Sequence, residues 1–335
     1  MPGAKTQTKT QNQTFKLESG FELPQVGFGL WKVSKENTAA VVYNAIKCGY
    51  RNFDGAYDYQ NEKEAGKGIR KAIVDGLVTR GEIFVTTKLW NNYHSKEHVL
   101  ELAKWQNESW GLDYMDLYLM HFPVALEYVD PKENQYPAWW ADKERTIVKP
   151  ARVPIRETWE AMESLVDLGV VRSIGVSNFQ AQSIYDILSY NRIPISALQV
   201  EHHPYLVQPE LFQLCKENNI AFIAYSSYGP QSFLELPGSF SELAKDITPL
   251  FQHKTVLLIA STHNKSPAQV LLRWATQRGV AVIPKASSQA HLVQNLQLDF
   301  DLSKDEINSI SILDIGLRFN DPGYYLKNHP LHIFA

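Results

Sequence analysis

Gly27-Phe28-Gly29-Leu30-Trp31 follows the first short apolar run of the chain, and its reading decides between two folds. The rhythm around it alternates strand-like and helix-like segments, which suits either an open doubly wound sheet or a closed barrel. An open dinucleotide-binding sheet places a G-x-G-x-x-G turn between its first strand and its first helix. Gly27 and Gly29 supply two of those glycines, and the third is missing. Working outward, apolar runs at 25–28, 52–54, 83–88, 117–121, 173–176, 197–200, 221–225 and 281–284 read as about eight strands. Helical periodicity occupies 36–47, 62–72, 96–110, 155–168, 183–190, 209–217 and 267–278. Polar or titratable residues close or follow several strands: Asp54, Lys88, His121, Asn178, Gln199 and Tyr225. A site assembled from many strand ends is what the C-terminal mouth of a barrel provides. The expected fold is therefore α/β, a single (β/α)8 barrel over 14–335 behind a disordered leader, 1–13. Residues 14–17 and 21–23 flank Glu18-Ser19-Gly20 and read as a β-hairpin that plugs the barrel bottom. Two long loops, 123–153 and 226–250, read as lids or binding loops, and the tail after Leu313 reads as irregular.

Composition excludes several classes. The 335 residues are 44% apolar with a formal net charge of −3, enough for a large core and without the basic stripe of a nucleic-acid binder. No run of about 18 apolar residues exists, so no membrane partner is expected. The Gln/Thr/Lys-rich leader lacks the apolar stretch of a secretory signal. Cys48 and Cys215, the two cysteines, sit in helix-like stretches and read as buried structural thiols in a cytoplasmic protein. No histidine or cysteine pair stands at metal-ligand spacing, so no metal is expected and a metal-dependent hydrolase ranks last.

Asp54, Tyr59, Lys88 and His121 carry the chemistry. Asp54 closes Arg51-Asn52-Phe53-Asp54, Lys88 closes Val85-Thr86-Thr87-Lys88, His121 closes the next strand, and Tyr59 follows Asp54 by five residues. In a barrel three successive strand ends lie side by side. A phenol has an unperturbed pKa of about 10, and a nearby ammonium favours its anion. A buried lysine needs a partner to stay charged. The assignment is Tyr59 as general acid for carbonyl reduction, Lys88 as the group that lowers its pKa, Asp54 as the anchor of Lys88, and His121 as the group that orients the carbonyl oxygen. Taken singly, each has a plainer reading: a turn aspartate, a solvated lysine, a packing aromatic such as neighbouring Tyr57, a structural histidine. Four together on neighbouring strand ends favour chemistry.

Gly49-Tyr50-Arg51-Asn52-Phe53-Asp54-Gly55-Ala56, followed by Tyr59 and Asn61-Glu62, resembles the first signature of the aldo-keto reductases. Gly175-Val176-Ser177-Asn178-Phe179 resembles their second, and Ile283-Pro284-Lys285 opens their third. Asp54-Gly55-Ala56, His121-Phe122-Pro123, the run 230–235 and the run 316–322 are most similar to the yeast members that reduce xylose. The resemblance implies reduction of the open-chain aldehyde of an aldose, D-xylose first, to its alditol by hydride from NADPH or NADH. It implies that Ser177, Asn178 and Gln199 hold the nicotinamide carboxamide and that Tyr225, beside Ser226, stacks on the ring. It implies that Gln231, Ser232 and Leu234 fold over the pyrophosphate and that Glu235 binds ribose hydroxyls. Trp31, Asp58 and Asn320 would line the sugar pocket with His121. A homodimer is implied in the same way.

The third signature departs from the family pattern. Lys285 is followed by Ala286 and Ser287 where a hydroxyl residue and Asn are usual, and His291 stands where Arg is expected. Arginine is always charged and grips phosphate with a fork of donors, whereas histidine is only partly protonated at neutral pH. Weakened NADPH selectivity and dual cofactor use are therefore expected, with Lys285 and Ser287 still able to hold a 2′-phosphate and Gln289 and Asn295 at the adenine end. Two other readings compete: a carbonyl reductase for non-sugar aldehydes, and a non-catalytic cofactor-binding relative.

Overall fold

The computed structural model describes residues 13–334. Of the leader only Gln13 falls within them; residues 1–12 lie outside the described residues. Strands β1 (Thr14–Lys16) and β2 (Glu22–Pro24) form the antiparallel hairpin. Eight parallel strands follow: β3 (Phe28–Gly29), β4 (Asn52–Asp54), β5 (Phe84–Leu89), β6 (Met115–Met120), β7 (Val171–Ser177), β8 (Ala197–Glu201), β9 (Ala221–Tyr225) and β10 (Ala281–Val282). They pair in sequence order, and a parallel bridge from Val26 to Val282 joins the first edge to the last. Two backbone hydrogen bonds tie that seam, Val282 N–H to Gln25 O and Gly27 N–H to Val282 O, both 2.8 Å. The sheet is thus closed, and the barrel expectation holds.

The seam also explains the glycine pair. A Cβ on Gly29 would lie 2.6 Å from the Ile283 carbonyl, and one on Gly27 would lie 2.7 Å from the Asn52 amide nitrogen. Gly29 lets the first and last strands close on each other and Gly27 makes room for the Asn52 side chain, which is why they occur without the third glycine of a phosphate turn.

Helices α1 (Lys35–Cys48), α2 (Glu62–Val74), α3 (Lys96–Trp110), α4 (Ile155–Asp167), α5 (Ala181–Leu188) and α6 (Pro209–Glu217) connect the strands, each within a few residues of expectation. The crossover from β9 to β10 carries short α7 (Glu242–Lys245), then α8 (Lys254–Thr262) and α9 (Pro267–Gln277). After β10 come α10 (Gln289–Leu296), α11 (Lys304–Ser311) and α12 (Pro322–Tyr325). The tail is therefore not wholly irregular. Pro322 opens α12 and the Asp321 carboxylate accepts from the Gly323 amide, a start signal compressed into four residues. None of the helices is long and apolar enough to cross a membrane, among the described residues.

Below the barrel, Leu17 and Leu23 of the hairpin pack with Phe84, Leu117, Ala197 and Ala281, so the hairpin does plug the bottom. Cys215 is buried as expected, but Cys48 is only half-buried because it ends α1 where the helix meets the surface. Close packing extends to the helix layer. A Cβ on Gly66 of α2 would lie 2.0 Å from the Trp110 carbonyl at the end of α3, with no flexible atom to yield. Gly66→Ala should lower stability by about 3 kcal/mol, the upper end for overpacking, read as an earlier urea midpoint at unchanged slope.

Candidate active site

β4, β5 and β6 are neighbours, so the ends of these strands set Asp54, Lys88 and His121 around one point. The Lys88 ammonium is wholly buried and donates to Asp54 Oδ1 at 2.6 Å, Gly55 O at 2.7 Å and the Tyr59 hydroxyl at 3.3 Å. Each of its three N–H groups thus has a partner, which is what a buried ammonium requires. Gln199, from β8 across the barrel, donates to the other Asp54 oxygen at 2.6 Å.

Tyr57 and Tyr59 occupy one 3₁₀ turn, so residues two apart face different ways. Tyr57 is buried against Tyr93, Trp105 and Tyr136, and its hydroxyl donates to the Gln135 carbonyl. Tyr59 alone faces Lys88. Of the two tyrosines, Tyr57 is the packing aromatic and Tyr59 the one beside Lys88.

The electrostatics differ from expectation in one respect. Burial, then the charges of Asp54 and its neighbours, hold the Tyr59 phenol well above its ordinary value. The ammonium does not make it acidic at rest, because desolvation of a phenolate outweighs one cation already shared with a carboxylate. The same burial pushes Asp54 up and Lys88 down, against their mutual attraction. Burial, helped by the Lys88 charge, drives His121 well below its ordinary value, so its ring is neutral and its Nδ1 has no protein partner. The Tyr59 hydroxyl thus keeps its proton at rest, with the Lys88 ammonium 3.3 Å away.

These groups open into a cavity of about 1160 Å³. Trp31, Asp58, His121 and Asn320 are among the residues that line it, and burial lifts the Asp58 carboxyl to about 6. Ser177, Asn178, Gln199, Tyr225 and Ser226 line its floor. Asn178 (φ 62) and Ser226 (φ 51) adopt left-handed backbone there, a conformation held in place only where the surroundings enforce it. Tyr225 donates to Asn178 Oδ1 at 2.7 Å and accepts from Asn320 Nδ2 at 2.8 Å. Gln231, Ser232, Glu235, Lys285, Ser287, His291 and Asn295 line the same cavity. Leu234 and Gln289 are not brought to this wall: Leu234 packs against an apolar cluster containing Phe233 and Phe319, and Gln289 is exposed at the start of α10.

A dinucleotide fits this donor set. The cavity is large, and its lining combines the amides of Asn178 and Gln199 and the hydroxyls of Ser177, Tyr225 and Ser226 with the cations Lys32 and Lys285. Lys32 donates to Ser232 O at 2.5 Å and Glu235 Oε1 at 2.7 Å, with Lys285 3.8 Å from the same carboxylate oxygen, so the 229–235 loop is tied across the cleft. Lys32 escaped the sequence reading because it adjoins Trp31 in a loop with no spacing rule. Gln199's bond to Asp54 joins residues 145 positions apart and leaves no local trace. The long loops do serve as walls. Trp139 of the first lies 5.0 Å from the Trp90 ring centroid, and Phe240 of the second stacks on Tyr325 at 4.2 Å.

The aldo/keto reductase family profile matches residues 25–315. The chain is 52% identical over 323 residues to an NAD(P)H-dependent D-xylose reductase of Pyricularia oryzae, covering 96% of this chain and 99% of that protein. It is 51% identical over 328 residues to an NAD(P)H-dependent pentose reductase of the same organism, covering 96% and 98%. A crystal structure of a Bombyx mori aldo-keto reductase in complex with NADP superimposes with a TM-score of 0.82 at 33% identity, covering 95% of this chain and 97% of that one.

Proposed function

The chain belongs to the aldo/keto reductase family, and from that premise we propose that it is an NAD(P)H-dependent D-xylose reductase, reducing the open-chain aldehyde of xylose and similar aldoses to the alditol. One observation carries the reading: a phenol, an ammonium and a carboxylate linked at 3.3 and 2.6 Å at the rim of a closed barrel, opening into a cavity of about 1160 Å³.

Reduced nicotinamide, when bound, supplies the hydride. Ser177, Asn178 and Gln199 would hold its carboxamide and Tyr225 its ring, with Lys285, Ser287 and Asn295 toward the other end. The chain's own residues govern the proton. Tyr59 keeps its hydroxyl proton until the carbonyl oxygen gains negative charge, then passes it across. The Lys88 ammonium at 3.3 Å stabilises the phenolate left behind. Asp54, held by Gln199, fixes Lys88 on that side. Neutral His121 can donate one hydrogen bond to the carbonyl oxygen without competing as an acid. Trp31 offers the sugar carbons an apolar wall, while Asp58 and Asn320 offer hydroxyl partners.

Steady-state kinetics with xylose and each cofactor test the reading. NADPH and NADH should give kcat/KM values within about tenfold, since His291 replaces a permanent cation. His291→Arg should favour NADPH by about a further tenfold, as one regained phosphate contact would. A strong NADPH preference that persists in His291→Ala would overturn the dual-use proposal. A homodimer and a cytoplasmic location also belong to the proposal, by family resemblance. Light scattering on the purified chain checks the first.

A further inference from the structure

Glu201 ends β8 and is completely buried, yet the proton transfer above does not use it. Its carboxylate reaches out of the barrel to the tail. Oε1 accepts from the Phe319 amide at 2.9 Å and from His203 Nε2 at 2.8 Å; Oε2 accepts from the Asn320 amide at 2.7 Å. Two consecutive tail amides therefore end on one carboxylate from a segment more than a hundred residues away. The backbone at Glu201 belongs to the same anchor. Its carbonyl accepts from Gln208 Nε2 at 2.7 Å, and Gln208 Oε1 accepts from Arg318 Nη2 at 3.0 Å. Phe319 is buried between Phe233 and His203, which fixes the direction in which Asn320 leaves the anchor.

Asn320 then spans to the site. Its side chain donates to the Tyr225 hydroxyl, and Tyr225, paired with Glu201 in the β8–β9 register, donates to Asn178. We propose that Glu201 is a positioning residue for sugar recognition: its buried carboxylate holds the tail so that the Asn320 amide faces substrate hydroxyls. The inference rests on the reading that Asn320 contacts the sugar. Hydrogen bonds to a charged acceptor are about twice as strong as neutral ones, so a carboxylate holds two amides more firmly than any neutral side chain. Beyond Asn320 the tail is tied separately, by Ser239 donating to the Tyr325 carbonyl at 3.0 Å and by Lys327 paired with Glu242 at 2.8 Å. Ile315 and Leu317 donate to the Tyr205 carbonyl, and Asp321 serves only its own helix start.

The test is a substrate split. Glu201→Gln keeps the shape but replaces one acceptor oxygen by a donor, so one tail amide or His203 loses its partner. Xylose kcat/KM should fall about tenfold, chiefly through KM, as expected for loss of binding shared by ground and transition states. Butyraldehyde, an aldehyde without hydroxyls, should change less than about twofold by the same criterion. NADPH affinity by fluorescence quenching should be unchanged. In an Asn320→Ala background, Glu201→Gln should add nothing to the xylose defect, the mark of two residues acting as one unit. Equal losses for xylose and butyraldehyde, or additive losses in the double variant, would overturn the inference. If Asn320→Ala itself fails to separate the two substrates, the sugar-contact reading fails first. Should Glu201→Gln not fold, Arg318→Met, which keeps most of the half-buried side chain and releases the tail from Gln208, carries the same comparison. A xylose-selective loss there supports the anchor, and a uniform one or none overturns it.

Discussion

Tyr59→Phe is expected to lower kcat for xylose about a thousandfold, within the range ascribed to a positioned general acid, while binding NADPH with unchanged affinity. The reasoning is local. Phenylalanine preserves the ring, which faces Lys88 Nζ at 4.9 Å and packs edge-on against His121 at 6.0 Å. Only the hydroxyl goes, and with it the weakest of the three Lys88 contacts. The ammonium keeps Asp54 and Gly55, so the loss of stability should be about 1–3 kcal/mol, the cost of leaving one buried donor without its partner. The pH profile separates this role from simple packing. Because burial holds the Tyr59 phenol above its ordinary value, the wild-type acid stays loaded through neutral pH and is lost only at strongly alkaline pH. The residual rate of Tyr59→Phe should lack that alkaline fall. Near-normal turnover in this variant would move the acid elsewhere, and a lost NADPH complex would make Tyr59 a binding residue instead.

The barrel was legible because strands buried on both faces read as short apolar runs, and because the residues that close them are polar for a reason other than packing. Asn52–Asp54, Ala221–Tyr225 and helices α3 and α6 match at both ends. Most strand ends elsewhere shifted by one to three residues, since pairing with a neighbour sets them. β10 shrinks to Ala281–Val282 because Pro284 cannot donate to the ladder. The tetrad was legible because its members close or closely follow consecutive strands, so order along the chain becomes adjacency in space. What stayed hidden depends on contacts across the barrel: Gln199 against Asp54, Lys32 against Glu235, Glu201 against the tail. The sign of the Tyr59 shift stayed hidden for the same reason. Sequence names the cation, but only three-dimensional enclosure gives the desolvation that opposes it.

Lys88→Met should lower turnover by at least as much as Tyr59→Phe and should destabilise the fold considerably more. Methionine fills the space but leaves Asp54 buried with only Gln199 as a donor. Removing one partner of a buried pair is worth about 3–5 kcal/mol of lost stability, most of it the desolvated charge left behind. The remedy open to the protein is to protonate Asp54, whose carboxyl burial already lifts above its ordinary value. The sign follows from linkage. A carboxyl raised in the folded state binds more protons folded than unfolded, so stability is greatest below the ordinary carboxylate pKa and is lost as pH rises through the folded value. Lys88→Met should therefore melt closer to wild type at pH 5 than at pH 8. Asp54→Asn in the same chain should restore most of the melting temperature and flatten its pH dependence, because a neutral amide needs no counter-charge. Turnover should stay low in that double variant, since no cation remains to meet the phenolate as Tyr59 gives up its proton. A double variant that recovered both would show that Lys88 serves only to neutralise Asp54. One that recovered stability alone would show that the ammonium beside the phenol serves the chemistry, with Asp54 present to hold it there.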